Sequence, residues 1–457
     1  MQNELKRISV IGLGKLGTPL AVCFASKGFP TIGLDVDMRK VEAINNGITT
    51  VYEPDLQDLL ESSKNQLTAT RDYEKAVVNS DVTFIVVLTP SDNRGGFSLK
   101  YVLEAGEEIG VALRKKSGFH LVVLTSTVMP GATEGKLRPL LEARSGKKCG
   151  QDFGLCYSPE FIALGTVIRD FLNPDFLLIG ESDARSGEML KRLYQGVCNN
   201  NPPVVRMNFV NAELTKLAVN TFMTTKITFA NTLARICERL PGANVDVVAA
   251  ALGLDSRIGG KYLKGAVGYG GPCFPRDNLA LVALARSIGA PATLAESTDF
   301  FNQQQVPWLE QLVRHYLPKS GKVGILGLAY KPHSDVVEES QGMLLAEALV
   351  RKKISVIAYD PIAMKNAKPI LGTSVTFAKS AEECVRETDV IALITPWEEF
   401  KRLSLTSFTQ NNKSRVLIDC WRLLPAIQQE KGVTYIPLGI GGFLNHRFRM
   451  SNLKRKK

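Results

Sequence analysis

Residues 1 to about 200 alternate short apolar runs with segments of helical periodicity. The apolar runs are β-branched and too short to be buried helices, so they predict strands that are covered on both faces. Such alternation is typical of a parallel, doubly wound sheet with helices on each side. The predicted strands are Arg7–Ile11, Thr31–Asp35, Val82–Leu88, His120–Thr125, Leu155–Tyr157 and Phe176–Ile179.

A long segment without glycine or proline follows. Residues 199–203 break the alternation, and the segment from about Asn211 to Leu240 then runs uninterrupted to Pro241-Gly242. It predicts one helix, longer than is usual in globular proteins, of a kind that often spans two domains or forms a subunit interface. A second α/β pattern follows, with strands predicted at Lys322–Leu328, Ile354–Tyr359, Val390–Ile394, Val416–Ile418 and Thr434–Ile436.

The predicted fold class is therefore α/β, with two Rossmann-like doubly wound domains joined by a long central helix. We divide the chain into residues 1–204, 205–315 and 316–457. A length of 457 residues agrees with two to three domains.

Composition narrows the class of ligand only slightly. The chain is 45% hydrophobic and 22% charged, as expected of a folded protein. Its formal net charge of +11 suits anionic ligands such as nucleotides, and is equally consistent with a basic solvated surface. Since no nucleic-acid motif accompanies this charge, we expect no nucleic-acid partner.

Cysteine and histidine usage argues against a metal centre. The eight cysteines include no Cys-x-x-Cys pair, and the four histidines, the last of them His446, show no ligand spacing. We predict no metal, no disulfide framework and reduced thiols in the cytoplasm. No apolar run is long enough to span a bilayer and the start shows no signal peptide, so we expect no membrane association.

The first predicted strand leads into a glycine-rich turn. Gly12-Leu13-Gly14-Lys15-Leu16-Gly17 opens the next helix, where glycines let backbone approach a pyrophosphate. Asp35 ends the second strand, where a carboxylate accepts bonds from ribose hydroxyls and repels a 2′-phosphate. The pattern favours NAD over NADP as cofactor; the alternative is a tight structural turn. Thr89-Pro90 and Ser126-Thr127 follow later strands, at a cofactor or substrate edge or in simple turns.

A second glycine-rich loop carries a candidate nucleophile. Gly268–Asp277 reads GYGGPCFPRD, which holds Cys273 between glycines and prolines. A lone cysteine is usually inert core, but a thiol held in such a loop can attack a carbonyl carbon. With a hydride acceptor nearby, it would take an alcohol through an aldehyde to an acid.

Two further groups have weaker support from the residues alone. Glu160 follows a strand and is a candidate general base or a solvated turn residue. Lys216 and Asn220 stand at i and i+4 of the long helix, where they could stabilise an oxyanion or form a solvent-facing polar stripe.

Taken in order, these motifs resemble the UDP-glucose/GDP-mannose dehydrogenase family over nearly the whole chain. The matching stretches are Gly12–Gly17, Glu53–Leu56, Thr89-Pro90, Ser126–Val128, Ser158–Phe161, Ala212–Asn231, Asp255–Gly259, Gly270–Asp277, Gly327–Lys331, Tyr359–Pro361 and Thr395–Trp397.

The resemblance implies an NAD-dependent, four-electron oxidation of a nucleotide sugar at C6, through a thiohemiacetal and a thioester. It makes Cys273 the nucleophile and Lys216, with Asn220 beside it, the oxyanion stabiliser. It also makes Asp277 a base or water organiser, Glu160 the base for thioester hydrolysis, and Thr127 the holder of a catalytic water.

The resemblance further implies an NAD domain, a central dimerisation region and a C-terminal nucleotide-binding domain. It implies a homodimer or higher homo-oligomer, in which Arg257 reaches the neighbouring subunit, and a role in polysaccharide biosynthesis. The implied cofactor contacts are Gly12, Gly14, Lys15, Leu16, Gly17, Asp35, Lys40, Thr89, Pro90 and Thr127. The implied substrate contacts are Phe161, Ala163, Lys216, Asn220, Arg257, Tyr262, Gly270, Lys331 and Arg422.

The chain departs from the family pattern at several positions. Leu164 stands where the family often has a second Glu, and Phe176 and Glu338 stand where it often has Arg. A charge reversal at Glu338 predicts a shifted cofactor pose or weaker NAD binding, which an unchanged NAD affinity in Glu338→Arg would contradict. Family members that oxidise UDP-N-acetylhexosamines usually have a His directly before the cysteine. Pro272 stands there in this chain, which favours UDP-glucose, with GDP-mannose second and UDP-N-acetylhexosamine third.

Two other classes of function stay open at this point. A hydroxyacid-type or 6-phosphogluconate-type dehydrogenase would make one hydride transfer and need no cysteine. A catalytically inactive sugar-nucleotide binder would keep the fold without the chemistry.

Overall fold

The structure is a computed structural model that describes residues 6–410 and 413–443. It divides into two compact units: one extends to Val219 and includes Ala283–Ala290, and the other comprises Asn220–Val282 and the chain from Pro291 onward. The basic terminal run and His446 lie outside the described residues.

The first unit is built on an eight-stranded sheet in the order β3-β2-β1-β4-β5-β6-β7-β8. Neighbouring strands are parallel except β6 and β7, which run antiparallel. The strands are β1 Ile8–Ile11, β2 Thr31–Leu34, β3 Leu67–Thr70, β4 Val82–Ile85, β5 His120–Leu124, β6 Phe153–Tyr157, β7 Leu177–Glu181 and β8 Val204–Met207.

Two apolar clusters in this unit give its sheet the buried character that its sequence predicted. The helices of the unit are α1 Gly17–Ser26, α2 Met38–Asn45, α3 Leu56–Ser63, α4 Tyr73–Val78, α5 Lys100–Leu113, α6 Arg138–Ser145, α7 Val167–Leu172 and α8 Ala184–Val197.

One strand is shorter than its apolar run. The sequence predicts a strand to Leu88, but β4 ends at Ile85 and Leu88 is 77% exposed. After Val86, whose N–H donates to the carbonyl of Ile11, the chain leaves the sheet at its carboxyl edge. Apolar residues beyond that point therefore face a surface where ligands of open α/β sheets bind.

The long helix is confirmed as α9, Phe209–Cys237. It begins in the first unit and continues into the second, whose boundary falls between Val219 and Asn220. The prediction of two α/β domains joined by a long helix is thus confirmed, while the three-way division of the chain stays a prediction.

The second unit contains a six-stranded parallel sheet in the order β11-β10-β9-β12-β13-β14. Its strands are β9 Lys322–Leu326, β10 Ser355–Tyr359, β11 Val375–Phe377, β12 Val390–Leu393, β13 Arg415–Asp419 and β14 Val433–Pro437. Its helices after α9 are α10 Val245–Leu254, α11 Phe274–Ser287, α12 Thr293–Gln303, α13 Gln305–Tyr316, α14 Gln341–Arg351, α15 Met364–Leu371, α16 Ala381–Arg386 and α17 Thr406–Thr409. The end of α11, from Ala283 onward, belongs to the first unit.

Both sheets have a glycine with a positive φ directly after the strand at which the strand order switches direction. Gly12 after β1 and Gly327 after β9 have φ of +99° and +103°. An added Cβ would lie 1.8 Å from the Gly12 carbonyl oxygen at Gly17, and 2.1 Å from the Gly327 carbonyl oxygen at Gly342. The glycines therefore hold a helix close to a strand end in both units, although no repeat is visible in the sequence.

Candidate active site

The glycine-rich turn of the first unit has the geometry that a dinucleotide requires. Gly12 needs its positive φ, and a Cβ there would lie 2.4 Å from the Val86 carbonyl oxygen at the end of β4. A Cβ at Gly14, by contrast, would meet no heavy atom within 4 Å. The turn is thus closed toward the sheet and open on the side where a pyrophosphate would approach.

Asp35 is buried at the carboxyl end of β2 and is oriented by three donors. Its Oδ2 accepts from the Leu13 N–H and the Lys40 ammonium at 2.8 and 2.9 Å, and its Oδ1 accepts from the Asp37 N–H at 2.9 Å. These contacts fix the carboxylate beside the turn, where a cofactor ribose would lie. Lys15 is exposed and Leu16 half-buried at the start of α1.

Two apolar residues at this edge were not among the predicted cofactor contacts. Val36 is 73% exposed directly after Asp35, and Leu88 is 77% exposed after β4. Each follows a strand that neighbours β1, so their side chains are suited to the faces of an adenine ring. Their exposure after apolar strands is the signal that could have identified them.

The glycine geometry separates cofactor binding from folding in a pair of variants. Gly14→Ala is expected to weaken NAD binding by about tenfold or more with little change in melting temperature, because only the ligand side is filled. Gly17→Ala is expected to lower the melting temperature itself, because its Cβ overlaps the Gly12 carbonyl oxygen. Calorimetric titration with NAD and thermal unfolding would check both, and equal effects of the two variants would contradict this reading.

Thr89 and Thr127 meet at the same strand edge. The buried Thr89 hydroxyl donates to the carbonyl of Thr127 at 2.8 Å, while Ser126 Oγ donates to the Val87 carbonyl at 2.7 Å. These bonds tie together the segments after β4 and β5. Thr127, which is half-buried, and Pro90, which is exposed, lie in these two connected segments.

Glu160 follows β6 in a partly buried position. Burial raises the pKa of its carboxyl to about 7, although the Lys216 charge and a hydrogen bond from Tyr194 act in the opposite direction. The Tyr194 hydroxyl also lies 3.1 Å from Ser158 Oγ. A carboxyl that titrates near neutrality is suited to act as a general base.

Lys216 is held close to the same segment. Its ammonium donates to the Glu160 carbonyl at 2.6 Å and lies 4.8 Å from the centre of the Phe161 ring. Phe161 packs in turn against Phe176, with ring centres 4.7 Å apart. Phe176, where the family often has Arg, therefore supports an aromatic ring beside a fixed ammonium.

The loop after Glu160 is organised by a carboxylate from elsewhere in the unit. Buried Glu53 accepts from the Gly165 and Val167 N–H groups, both at 2.7 Å, at the start of α7. The Ala163 carbonyl closes a turn with Thr166, and Leu164 packs against an apolar cluster. Leu164, which is partly buried, thus contributes to hydrophobic packing in this chain.

In the second unit, Cys273 immediately precedes α11 and is exposed, whereas the other cysteines are buried or half-buried. One turn into the helix, Asp277 is 1% exposed, and its Oδ2 accepts from Asn220 Nδ2 at 2.6 Å. A helix N-terminus favours developing negative charge, and the Asn220 bond orients the carboxylate. This arrangement suits a thiol nucleophile with a buried acid–base group behind it.

The interpretation of Lys216 and Asn220 as a solvent-facing stripe is wrong, because the two residues are 7% and 8% exposed. Spacing alone placed them on one helix face but did not show that this face is covered.

The remaining predicted substrate contacts differ in how they are engaged. Gly270 is buried in the cysteine loop, Lys331 is half-buried after β9, and Tyr262 is 45% exposed with φ +65°. Arg257 extends into solvent and pairs with Asp255 at 2.6 Å.

Arg422 has φ +55° and a largely buried guanidinium. It forms two 2.8 Å bonds to the Asp246 carboxylate and donates to the carbonyls of Gly265, Cys420 and Leu438. These contacts favour a structural function for Arg422, so direct substrate contact stays a prediction that this geometry does not favour.

Among residues 6–410 and 413–443, no group of three or more His, Cys, Asp or Glu side chains is placed to hold a metal ion. Across the same described stretches, every helix is too short or too polar to cross a membrane.

Three models of the UDP-glucose/GDP-mannose dehydrogenase family match the chain in succession: the NAD binding domain over residues 6–198, the central domain over 210–304 and the UDP binding domain over 324–426. A UDP-glucose 6-dehydrogenase of Haloferax volcanii is 34% identical, covering 94% of this chain and 99% of its own. A GDP-mannose 6-dehydrogenase of Pseudomonas savastanoi is 36% identical over 78% of this chain and 80% of its own.

The solved structure of a UDP-glucose dehydrogenase from Pyrobaculum islandicum superposes with a TM-score of 0.86 at 33% identity, covering 94% of this chain and 97% of that one. Together with the glycine turn beside Asp35, these matches establish NAD as the cofactor and nucleotide-sugar oxidation as the class of activity. The chain belongs to the UDP-glucose/GDP-mannose dehydrogenase family.

Proposed function

We propose that this protein oxidises UDP-glucose at C6 to UDP-glucuronate in two successive two-electron steps. The observation that carries the proposal is the placement of Cys273 at the start of α11, with buried Asp277 one turn behind it and fixed by Asn220. An alcohol-to-aldehyde oxidation needs no thiol, whereas an aldehyde-to-acid oxidation gains from one.

When bound, NAD accepts two electrons as hydride in each of the two oxidations. In the first, the C6 alcohol loses its hydroxyl proton and becomes an aldehyde. The Lys216 ammonium, which is buried and held by the Glu160 carbonyl, stabilises negative charge on the C6 oxygen.

Cys273 then adds to the aldehyde. As the sulfur–carbon bond forms, the π bond of the carbonyl breaks, and the thiol proton is passed by Asp277 or water to the C6 oxygen, which becomes the hydroxyl of a thiohemiacetal. Oxidation of this adduct leaves a thioester on Cys273. Asn220 keeps the Asp277 carboxylate in one orientation throughout, at an Nδ2–Oδ2 distance of 2.6 Å.

Hydrolysis completes the sequence. Glu160 removes a proton from water held near Thr127, the carbon–oxygen bond forms as the carbon–sulfur bond breaks, and the thiol recovers its proton. The raised pKa of Glu160, about 7, matches this base to neutral solution.

The choice of UDP-glucose is supported by Pro272 before the cysteine and by the name of the 34% identical Haloferax volcanii relative. The second candidate is GDP-mannose, supported by the 36% identical Pseudomonas savastanoi relative, which covers less of the chain. We place the reaction in the cytoplasm, since Cys273 must be reduced to act as a nucleophile. Synthesis of a uronic-acid polysaccharide is the use that fits such a product.

The proposal is tested by the yield of NADH per sugar nucleotide consumed. Purified protein is incubated with NAD and, separately, with UDP-glucose, GDP-mannose and UDP-N-acetylhexosamines. We expect about two NADH per UDP-glucose, as the four-electron balance requires. One NADH per sugar would indicate a simple dehydrogenase, and none with any sugar would indicate an inactive binder.

We also propose a homodimer formed through an apolar stripe on α9. Phe222, Phe229 and Ile236 recur at intervals of seven and are 60%, 51% and 48% exposed, so they lie along one helix face. Leu254 at the end of α10 is 88% exposed. Exposed apolar residues in such a row are typical of a protein–protein interface.

A charge placed on this stripe is expected to separate the subunits. Phe229→Glu should lower the solution mass to about half, because a carboxylate buried in an apolar interface costs several kcal/mol. Light scattering after size-exclusion chromatography measures the mass. Phe300→Glu, at a residue 36% exposed on α12, is the matched control; an unchanged mass in Phe229→Glu would exclude the stripe as the interface.

A further inference from the structure

The backbone of the cysteine loop is held by side chains and backbone of its own unit. The Tyr269 N–H donates to Asn302 Oδ1 at 2.8 Å, and its carbonyl accepts from Asn302 Nδ2 at 3.0 Å and from Gln341 Nε2 at 3.3 Å. Tyr269 is buried and packs edge-on against Phe274, the first residue of α11. The residues before Cys273 are therefore fixed from one side by Asn302 and Gln341.

From another side, the loop lies directly on the segment that follows β9. The Gly271 N–H donates to the Glu338 carbonyl at 3.1 Å, and a Cβ at Gly270 would lie 2.2 Å from the Glu339 carbonyl oxygen. At Gly271, with φ +82°, a Cβ would lie 2.6 Å from two carbons of the Tyr330 ring. Any side chain at Gly270 or Gly271 would push the cysteine loop away from this segment.

The segment 328–341 is itself firmly built. Buried Asp360 accepts from the Leu328 and Ala329 N–H groups at 2.8 and 2.9 Å, and the Tyr330 N–H donates to the Val336 carbonyl at 3.0 Å. Glu339, whose carbonyl meets the cysteine loop, has φ +50°. A left-handed conformation costs a non-glycine residue about 1 kcal/mol or more, so packing must maintain it.

The same segment is where the nucleotide is expected to bind. It leaves the carboxyl end of β9 at the switch point with β12, and it lies within the match to the UDP binding domain, residues 324–426. Lys331, adjacent to Tyr330, is the cation of this segment in the implied substrate set. The nucleotide would thus contact Lys331. The adjacent residue, Tyr330, packs against Gly271, which is two positions before Cys273.

We propose that Tyr330 is a positioning residue that couples nucleotide binding to the catalytic cysteine. Occupancy of segment 328–341 by a pyrimidine nucleoside diphosphate fixes the Tyr330 ring and the Glu338–Glu339 backbone, and these hold Gly270 and Gly271. The cysteine loop is then ordered before the sugar reaches it. The inference rests on the proposed function, because it assigns the chemistry to Cys273.

The test is hydrogen exchange of the peptide covering residues 266–279, with and without saturating UDP, followed by mass spectrometry. UDP is expected to slow exchange in this peptide by about fivefold or more in the wild type, the lower end of typical coupling between sites. Tyr330→Phe keeps the ring and should keep the protection. Tyr330→Ala should lose it, and should lower kcat with little change in KM for the sugar nucleotide.

Control variants separate coupling from misfolding. Tyr316→Ala removes a half-buried ring of the same unit, beside His315, and should leave the UDP response intact. Gly271→Ala approaches the contact from the loop side and should lose the response with Tyr330 unchanged. Exchange over β12 of the same unit should stay at the wild-type rate in each variant, which excludes unfolding of that unit as the cause of a lost response.

Equal UDP protection in the wild type and in folded Tyr330→Ala and Gly271→Ala would overturn the inference. Failure of the proposed function would give a different pattern. Cys273→Ala would then remain active, and UDP would still slow exchange in the wild type, because this protection needs no turnover.

Discussion

Cys273→Ala is expected to stop formation of the acid and to lower the rate of complete oxidation by about 10⁴-fold or more, as removal of a nucleophile does in other enzymes. The reason is chemical: without the thiol no thiohemiacetal forms, so the aldehyde has no tetrahedral adduct to be oxidised. NADH yield and mass spectrometry of the sugar product measure the effect. At most one NADH per sugar should then be detected.

A matched cysteine variant shows that the effect is local. Cys198→Ala removes a half-buried thiol of the first unit and should leave the NADH yield at its wild-type value. Wild-type acid formation by Cys273→Ala would reject the thioester route and favour a dehydrogenase that needs no covalent intermediate.

Glu160→Gln is expected to stall the reaction at its last step. The amide keeps the size of the side chain but cannot accept a proton from water, so hydrolysis should slow by about 10²–10⁴-fold. A burst of NADH matching the enzyme concentration should precede slow turnover, and a peptide containing Cys273 should carry the sugar nucleotide. Glu188→Gln, at an acid paired with Arg206, is the control and should turn over normally.

The same carboxyl predicts the pH dependence of hydrolysis. The base is active when ionised, so the rate should rise with pH and level off above about 7, the pKa to which burial raises Glu160. Stability moves the other way: with a raised folded-state pKa, the contribution of this group to folding is present at acid pH and is lost as pH rises through about 7. A rate independent of pH between 5 and 8 would exclude Glu160 as the base.

The sheet architecture and the NAD turn were predictable because periodicity and glycine placement act locally. The strands that were missed, Leu67–Thr70, Val204–Met207 and Val375–Phe377, are short and partly polar or lie at a sheet edge. Strand direction was also out of reach: nothing local to Leu177–Glu181 reveals that it runs antiparallel to its neighbour.

For the site, the sequence predicted which residues are candidates better than it predicted their burial and their contacts. Lys216 and Asn220 were found by their type and spacing, but their burial depends on segments distant in the chain, and helix periodicity does not specify those. Arg422 illustrates the converse, since a cation expected at the substrate is engaged by Asp246, which no local pattern links to it. Phe176 is visible in the sequence as a departure from the family pattern, but its stacking with Phe161 depends on the folded arrangement of two separate segments.

The glycine turns of the two sheets match, but the carboxylates beside them, Asp35 and Asp360, differ in burial and in the number of hydrogen bonds that they accept. This difference has a consequence for how many dinucleotides one chain can bind. Asp35 keeps a small exposed fraction and serves three donors, whereas Asp360 is fully buried and accepts from the N–H groups of Leu328, Ala329, Ile362 and Ala363 and the indole of Trp397. The Asp360 oxygens already accept from these five donors and cannot also accept from the hydroxyls of a ribose. Among the described residues of each chain, the turn beside Asp35 is therefore the one such turn that is suited to bind the dinucleotide. In the proposed reaction, both oxidations would use that one site in turn, so NADH would have to be exchanged for NAD while the aldehyde-level sugar stays bound. A covalent bond to Cys273 would keep a reactive aldehyde from escaping into the cell during that interval.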